Sequence, residues 1–401
     1  MSVKTSLLLR SMIAPVLASV VLTGCSGGTM SAGGARSGAN NLKKNGGGNG
    51  SDDGTLNPDD GDKAYLTKPK FAMMARDLRC GMCHLRVNGD IVSTSNVMSF
   101  EPDKSIPAPG NEDHIVNPFR MFTLAGEYNE VVNGTWYIKG TFPNDRSRTK
   151  MKLTVTGGIK ENYTGIEIPA NGFPSLSLSE AERVATGNVT AGNVKIDKIA
   201  TTNVVLDGTS SPIQINGEVF VKGDVVIYGT YQGRGTIYAS GNIYLPGSIT
   251  PSRSAFPFPA SKEAAMEDGR RKAEDKNTDA LALAAKSSII VGNPAARVVE
   301  ITPSKVKPPV ADKNVFSWFS GGQGGYTNLV NRFAMRGYLI EAFIYAEGNI
   351  AGKVSTFTIN GGMMCDSFHI LGSKGVNQVN YDYRFAGGLE VLEALKSGFS
   401  P

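Results

Sequence analysis

Between residues 215 and 249 the chain repeats one pattern six times. Glycine stands at Gly217, Gly223, Gly229, Gly235, Gly241 and Gly247, and two places after each comes Val219, Val225, Tyr231, Ile237, Ile243 or Ile249. A helix needs apolar residues every third or fourth position, and regular glycines would weaken it. A long flat strand fares no better, since an interior glycine leaves nothing to pack. Short strands joined at glycine corners satisfy both constraints, and a six-residue period marks stacked β-coils. The pattern predicts a β-solenoid with the second residue after each glycine pointing inward.

Weaker copies lie outside this block. Val87-Asn88-Gly89-Asp90-Ile91 returns as Val132-Asn133-Gly134-Thr135-Trp136, as Ile215-Asn216-Gly217-Glu218-Val219, and in part as Ile359-Asn360-Gly361. A second echo links residues 237–243, IYASGNI, with residues 344–350, IYAEGNI. Other stretches read differently. Residues 71–79 have the spacing of a short helix closing one end of the stack. Residues 94–131 read as an extended loop, residues 262–286 as an Ala-, Glu- and Lys-rich helical insertion, and Ser287 to Val291 as strand. Residues 320–325 read as a glycine loop, and Leu389, Leu392, Leu395 and Phe399 as one face of a closing helix.

Composition narrows the function classes. Forty-eight glycines among 401 residues suit a turn-dense β architecture, and 40% hydrophobic residues suffice for a packed core. A net charge of +5 with no basic run interleaved with aromatics excludes a nucleic-acid partner from the expectation. Clustered carboxylates for glycoside hydrolysis are absent from the regular stretch, where Glu218, Asp224, Glu341 and Glu347 stand singly. Tyr228, Tyr231, Tyr238 and Tyr244 are candidates for an exposed glycan-binding strip or for stacked core tyrosines.

The amino terminus reads as a targeting segment. Lys4 and Arg10 precede an apolar run over residues 12–22, too short to span a membrane, which ends in Leu22-Thr23-Gly24-Cys25. This resembles a bacterial lipobox, which implies lipidation of Cys25, with palmitate among the acyl chains. Ser26 after the cysteine implies the outer membrane, facing the periplasm or the cell surface. Residues 26–62 are Gly-, Ser-, Asn- and Asp-rich and form a flexible tether with a reach of about 35 Å.

The sharpest chemical signal is Cys80-Gly81-Met82-Cys83-His84, a CxxCH. In covalent haem c, two thiols form thioethers and the adjacent imidazole, here His84, ligates the iron. Met98, His114 and Met121 are candidates for the second axial position. The alternatives are a Cys80–Cys83 disulfide or dithiol in an oxidising compartment, or a zinc site completed by Cys365 and His369. The zinc reading suffers if Cys80 and Cys365 belong to opposite ends of a solenoid. Cys365 alone reads as a small buried side chain.

Residues 342–350, 357–363 and 379–385 together resemble the β-solenoid tail of PilX-type pilus-assembly proteins, and the hexad block is similar to bactofilins. The resemblance implies a solenoid fold and a scaffold or assembly role. The expected architecture is mainly β, a β-solenoid with a helical insertion and helical end caps. Its parts are a signal peptide (1–24), a lipidated tether (25–62), an N-terminal cap with the CxxCH and a loop (63–130), solenoid (131–251), the insertion (252–286), and continuing solenoid with a C-terminal cap (287–401). The expected function is non-enzymatic: an outer-membrane-anchored scaffold, adhesin-like or pilus/envelope assembly module. Its partners would be the membrane through the lipid, envelope or pilus proteins, or further copies of itself. The alternatives are a monohaem electron-transfer or redox-sensing lipoprotein and a carbohydrate-active β-helix enzyme.

Overall fold

The computed structural model describes residues 70–81, 84–94, 129–142, 152–165, 173–253, 278–293, 318–333, 337–372, 376–385 and 394. All lie within the unit formed by Gly50–Pro401. The signal peptide, Cys25, the tether, Cys83, Met98, His114, Met121 and most of the C-terminal cap fall outside the described residues.

The fold is mainly β: twenty strands joined in one sheet, with two helices among the described residues. Nearly all pairings are parallel, and each strand lies beside its counterpart one coil further on. Val225 sits beside Ile243, eighteen residues later, and Gly217 beside Gly235, again eighteen. Three hexads therefore make one coil, and the arrangement is β-helical with three faces. All six residues placed two after a hexad glycine, Val219 to Ile249, are wholly buried. Through face C runs the inner row Val219–Ile237–Leu283–Ile344–Met363–Met73–Ile91–Trp136, one residue per coil. Burying each such side chain stabilises the stack by about 1.5–3 kcal/mol. The IYASGNI and IYAEGNI echoes occupy the same place two coils apart, with Ile237 and Ile344 in one row and Ile243 and Ile350 in another.

Chain order and stacking order differ. Strand β1 (Met73–Gly81) lies between β19 (Phe357–Gly372) and β3 (Ile91–Ser93), so the chain enters the stack in its middle. From there it runs outward through β2 (His84–Asn88), β4 (Asn129–Asn133), β5 (Trp136–Ile138), β6 (Lys152–Val155) and β7 (Ile159–Lys160). The described chain then resumes at residue 173 and forms α1 (Leu178–Val184). An antiparallel pair, β8 (Asn188–Ala191) and β9 (Val194–Asp197), closes the far end against β11 (Val204–Val221). Later coils return through β12 (Val225–Ala239) and onward to β20 (Val376–Tyr381), which pairs with β2.

Several expectations change. Residues 71–79 contribute to β1 rather than a helical cap, because Phe71 to Ala75 are buried between neighbouring strands. The predicted N-terminal cap is thus interior to the stack. Within the predicted helical insertion, Ala280–Ala285 is strand β15, buried on both sides, where small side chains let coil and covering chain approach closely. Residues 262–277 lie outside the described residues. The expected glycine loop at 320–325 becomes the first turn of α2 (Gly322–Phe333). Helix α1 went unpredicted, although its Ser177-x-x-Glu180 start is a capping signature and Ser177 Oγ accepts from the Glu180 N–H at 3.2 Å.

Glycine is required at the hexad corners for two different reasons. Gly217 and Gly229 hold φ of 77° and 99°. At Gly235 the obstacle is steric: a Cβ there would sit 1.8 Å from the Gly217 carbonyl oxygen one coil away. Gly235→Val is expected to cost about 3 kcal/mol by overpacking, and Ser240→Val, just before a corner, under about 1 kcal/mol. Urea unfolding of both variants checks this, and equal losses would refute the corner assignment.

Candidate interaction face

Two of the three faces are covered by the chain itself. On face A, the outward side chains Val226, Tyr228, Tyr244 and Ile290 pack under Tyr326 and Val330 of α2. The Tyr228 hydroxyl donates to Asp207 at 2.9 Å. Burial pushes the Asp207 carboxyl up, but hydrogen bonds from the Thr209 hydroxyl and N–H and from Tyr228 outweigh it and hold the group below its ordinary value. On face C, the outward row Phe220–Tyr238–Ala284–Tyr345–Met364–Met74–Val92–Tyr137 is buried as well. Phe173 stacks on Tyr345, whose hydroxyl donates to the Pro174 carbonyl at 2.6 Å. Lys286 Nζ donates to Glu347 at 2.6 Å and to the Leu176 carbonyl at 3.0 Å, pinning the same crossing segment.

Face B is different. Its strands alternate, with Ile340, Ile359, Val379, Val87, Val132 and Val155 inward in one row. Outward stands the row Leu339–Thr358–Gln378–Arg86–Val131–Thr154, exposed or half-buried along its length. Such alternation belongs to a sheet with one face in the core and one in water. Six strands at about 4.8 Å make this open surface about 24 Å long.

Beside that row runs a ladder of asparagines. Asn133 Nδ2 donates to Asn88 Oδ1 at 2.7 Å, Asn88 Nδ2 to Asn380 Oδ1 at 2.6 Å, and Asn380 Nδ2 to Asn360 Oδ1 at 2.8 Å. Asn360 Nδ2 then donates to Glu341 Oε1 at 3.1 Å. The repeated Asn-Gly pairs of the sequence are the signal for it, and three of the ladder's asparagines come from those copies. Its fourth, Asn380, precedes Tyr381 and could not be found that way. The ladder crosses the junction between the first and last parts of the chain, where Arg76 also pairs with Asp366 at 2.6 Å.

The end of β20 is locked by charge. Arg384 grips Asp382 at 2.6 Å and its second guanidinium nitrogen donates to the Asp279 carbonyl at 2.5 Å. Burial works against the Arg384 charge, but the adjacent Asp382 carboxylate keeps the guanidinium protonated. The Asp279 carboxylate is wholly buried and accepts from the N–H of Gly233 and of Arg253, so it clasps both ends of the segment between residues 253 and 279.

Of the CxxCH, Cys80 and His84 lie within the described strands and Cys83 lies outside the described residues. Cys80 is near the end of β1, in register with Ile370, and His84 begins β2, in register with Val376. The backbone thus places them on successive faces of one coil rather than on one platform. The expected distance between Cys80 and Cys365 is overturned: β1 pairs directly with β19, with Ala75 beside Cys365 and Arg79 beside His369. Cys365 itself is buried among apolar neighbours. Among the described residues no group of three His, Cys, Asp or Glu side chains is placed to hold a metal.

The candidate carboxylates are dispersed. Glu218 accepts from Tyr238 at 3.3 Å, Asp224 from the Asn242 N–H at 2.7 Å, Glu341 ends the ladder, and Glu347 pairs with Lys286. The exposed tyrosine strip is likewise corrected: Tyr231, Tyr238 and Tyr244 are fully buried and Tyr228 is 6% exposed.

No family model and no curated protein matches the chain. Among solved structures, the ice-binding protein of the Antarctic ascomycete Antarctomyces psychrotrophicus aligns over 80% of this chain and 96% of its own, at 12% identity and a TM-score of 0.28. A similarity that slight carries no argument, and the β-helical assignment rests on the strand pairing above.

Two outcomes follow. Asn88→Ala removes two ladder hydrogen bonds and is expected to cost about 1–3 kcal/mol, against about 0.5–1.5 for Asn133→Ala at the exposed end. Urea midpoints measure the difference, and no loss at Asn88 would mean that the ladder carries no stability. Expressed with cytochrome-maturation factors, the protein is expected to give no haem-stained band on a denaturing gel. A covalent band lost in Cys80→Ser/Cys83→Ser would show that the CxxCH does carry haem.

Proposed function

We propose that the protein is a non-enzymatic, lipid-anchored envelope protein whose β-solenoid of three-hexad coils presents face B as an adhesive or assembly surface. The observation that carries this is the asymmetry of cover. Among the described residues, the chain lays its own helix and crossing segments over faces A and C, while the outward row of face B is half-buried to exposed beside a preordered ladder. A scaffold needs rigidity and a surface, and the stacked rows supply the first as face B supplies the second. The lipid on Cys25 and the tether would hold that surface at the outer membrane, where the partner is an envelope or pilus component, another copy, or external material.

The full chain in a Gram-negative host tests this. Cys25→Ala is expected to lose labelling by a clickable palmitate and to leave the membrane fraction without a change in melting temperature. Cells carrying wild type should gain attachment or self-association that both Cys25→Ala and Thr358→Glu/Gln378→Glu abolish. A face variant that folds and still supports attachment would overturn the role of face B, and persistent palmitate labelling of Cys25→Ala would overturn the anchor.

A further inference from the structure

We propose that face B binds a neutral polysaccharide chain lying along the stacking axis, an inference that rests on the display role argued above and names its ligand class. The chemistry of the outward row separates the possible occupants. A nucleic acid or an anionic lipid surface calls for a stripe of cations, and Arg86 is the row's one charged residue. A protein interface calls for a clustered apolar or aromatic anchor, whereas Leu339 and Val131 are separated by Thr358, Gln378 and Arg86. What remains to recognise a ligand is the hydroxyls of Thr358 and Thr154 and the amide of Gln378, uncharged groups that both donate and accept.

Spacing and order extend the argument. Parallel pairing repeats these groups once per strand, about every 4.8 Å. Four of the six outward residues stand two positions from a ladder asparagine on the same strand: Thr358 with Asn360, Gln378 with Asn380, Arg86 with Asn88 and Val131 with Asn133. The ladder holds those strands in lateral register, so little ordering is left to do on binding. With no aromatic ring in the row to stack on a sugar, each contact is weak. Strength then comes from many contacts along one polymer, which predicts binding to long chains and little to short sugars.

The test is co-sedimentation of the full-length, detergent-solubilised protein with microcrystalline cellulose and with chitin. Wild type is expected to pellet with at least one of them, and cellobiose in large excess is expected not to release it. Thr358→Glu/Gln378→Glu should lower the bound fraction at least tenfold, and Thr154→Glu, at the exposed end of the row, should lower it severalfold. Thr202→Glu, exposed but off the face, should leave it unchanged. Melting temperatures within a few degrees of wild type establish that the variants fold. Failure to pellet with either polymer, equal pelleting by the face variants, or release by cellobiose would each overturn the proposal. Loss of cell attachment in the face variants without any polymer binding would leave the display role standing and remove the polysaccharide.

Discussion

The structure depends on every coil finding the same register as the one before it, and the corners enforce this. At one corner the Asp224 N–H donates to Asn203 Oδ1, the Asn242 N–H to Asp224 Oδ1, and the Ser288 N–H to Asn242 Oδ1, at 2.8, 2.7 and 3.2 Å. Each side chain satisfies a backbone donor of the following coil where the strand ladder is interrupted. A slip by one residue would turn every inward side chain outward, and it would also strand these buried donors without partners. The asparagine ladder on face B does the same with side chains alone, and the glycine corners forbid the alternatives by steric contact. Apolar burial gives the stack its stability, but polar groups at the corners give it one register.

That constraint explains how a chain can enter its own stack in the middle. Strand β1 has no neighbour in sequence that could template it on the β19 side, yet it pairs with β19 over the span from Met73 to Gly81. The junction is secured by the same devices as a covalently continuous coil: the Met363–Met73–Ile91 inner row, the Asn360–Asn380–Asn88–Asn133 ladder, and the Arg76–Asp366 pair outside. A continuous array can fold by adding each repeat to the last. Here the first coils lack one neighbour until residues 357–381 have been made, so non-local contacts enter the transition state and slow folding.

The legible part of the sequence was the part written in period six. The inward positions after the hexad glycines, the strand at residues 289–291 and the paired echoes at 237 and 344 all follow from local pattern, because the inward residues recur within each strand even where long segments interrupt the coil. What was hidden depends on partners distant in sequence. Residues 71–75 are apolar on both sides because strands flank them and chain covers them, and periodicity cannot tell such a strand from a buried helix. The run at residues 280–285 has the same ambiguity, made worse by alanine's helix propensity, which tertiary packing overrides. The repeated Asn-Gly pairs were visible, but their meeting on one face required knowing that the stack is discontinuous. Asp279, Asp382 and Arg384, far apart in sequence, carry no local signal at all.

The same distinction bears on which face can act. Where a β-helical chain covers a face, the outward row turns apolar, as with Phe220, Tyr238 and Tyr345 on face C and Val226, Tyr244 and Ile290 on face A. Where it leaves a face in water, the row alternates with the inward one and keeps polar residues, with Thr358, Gln378, Arg86 and Thr154 beside Leu339 and Val131. Face B keeps that alternation across strands drawn from both ends of the chain, β6, β4 and β2 on one side of the junction and β20, β19 and β17 (Tyr338–Ile340) on the other. Stability alone would not require the polar row to continue over the junction in line with itself, since inward packing already fixes the register. An uninterrupted surface does require it, because a long ligand of the kind proposed for face B would meet both halves of the chain and register any break between them.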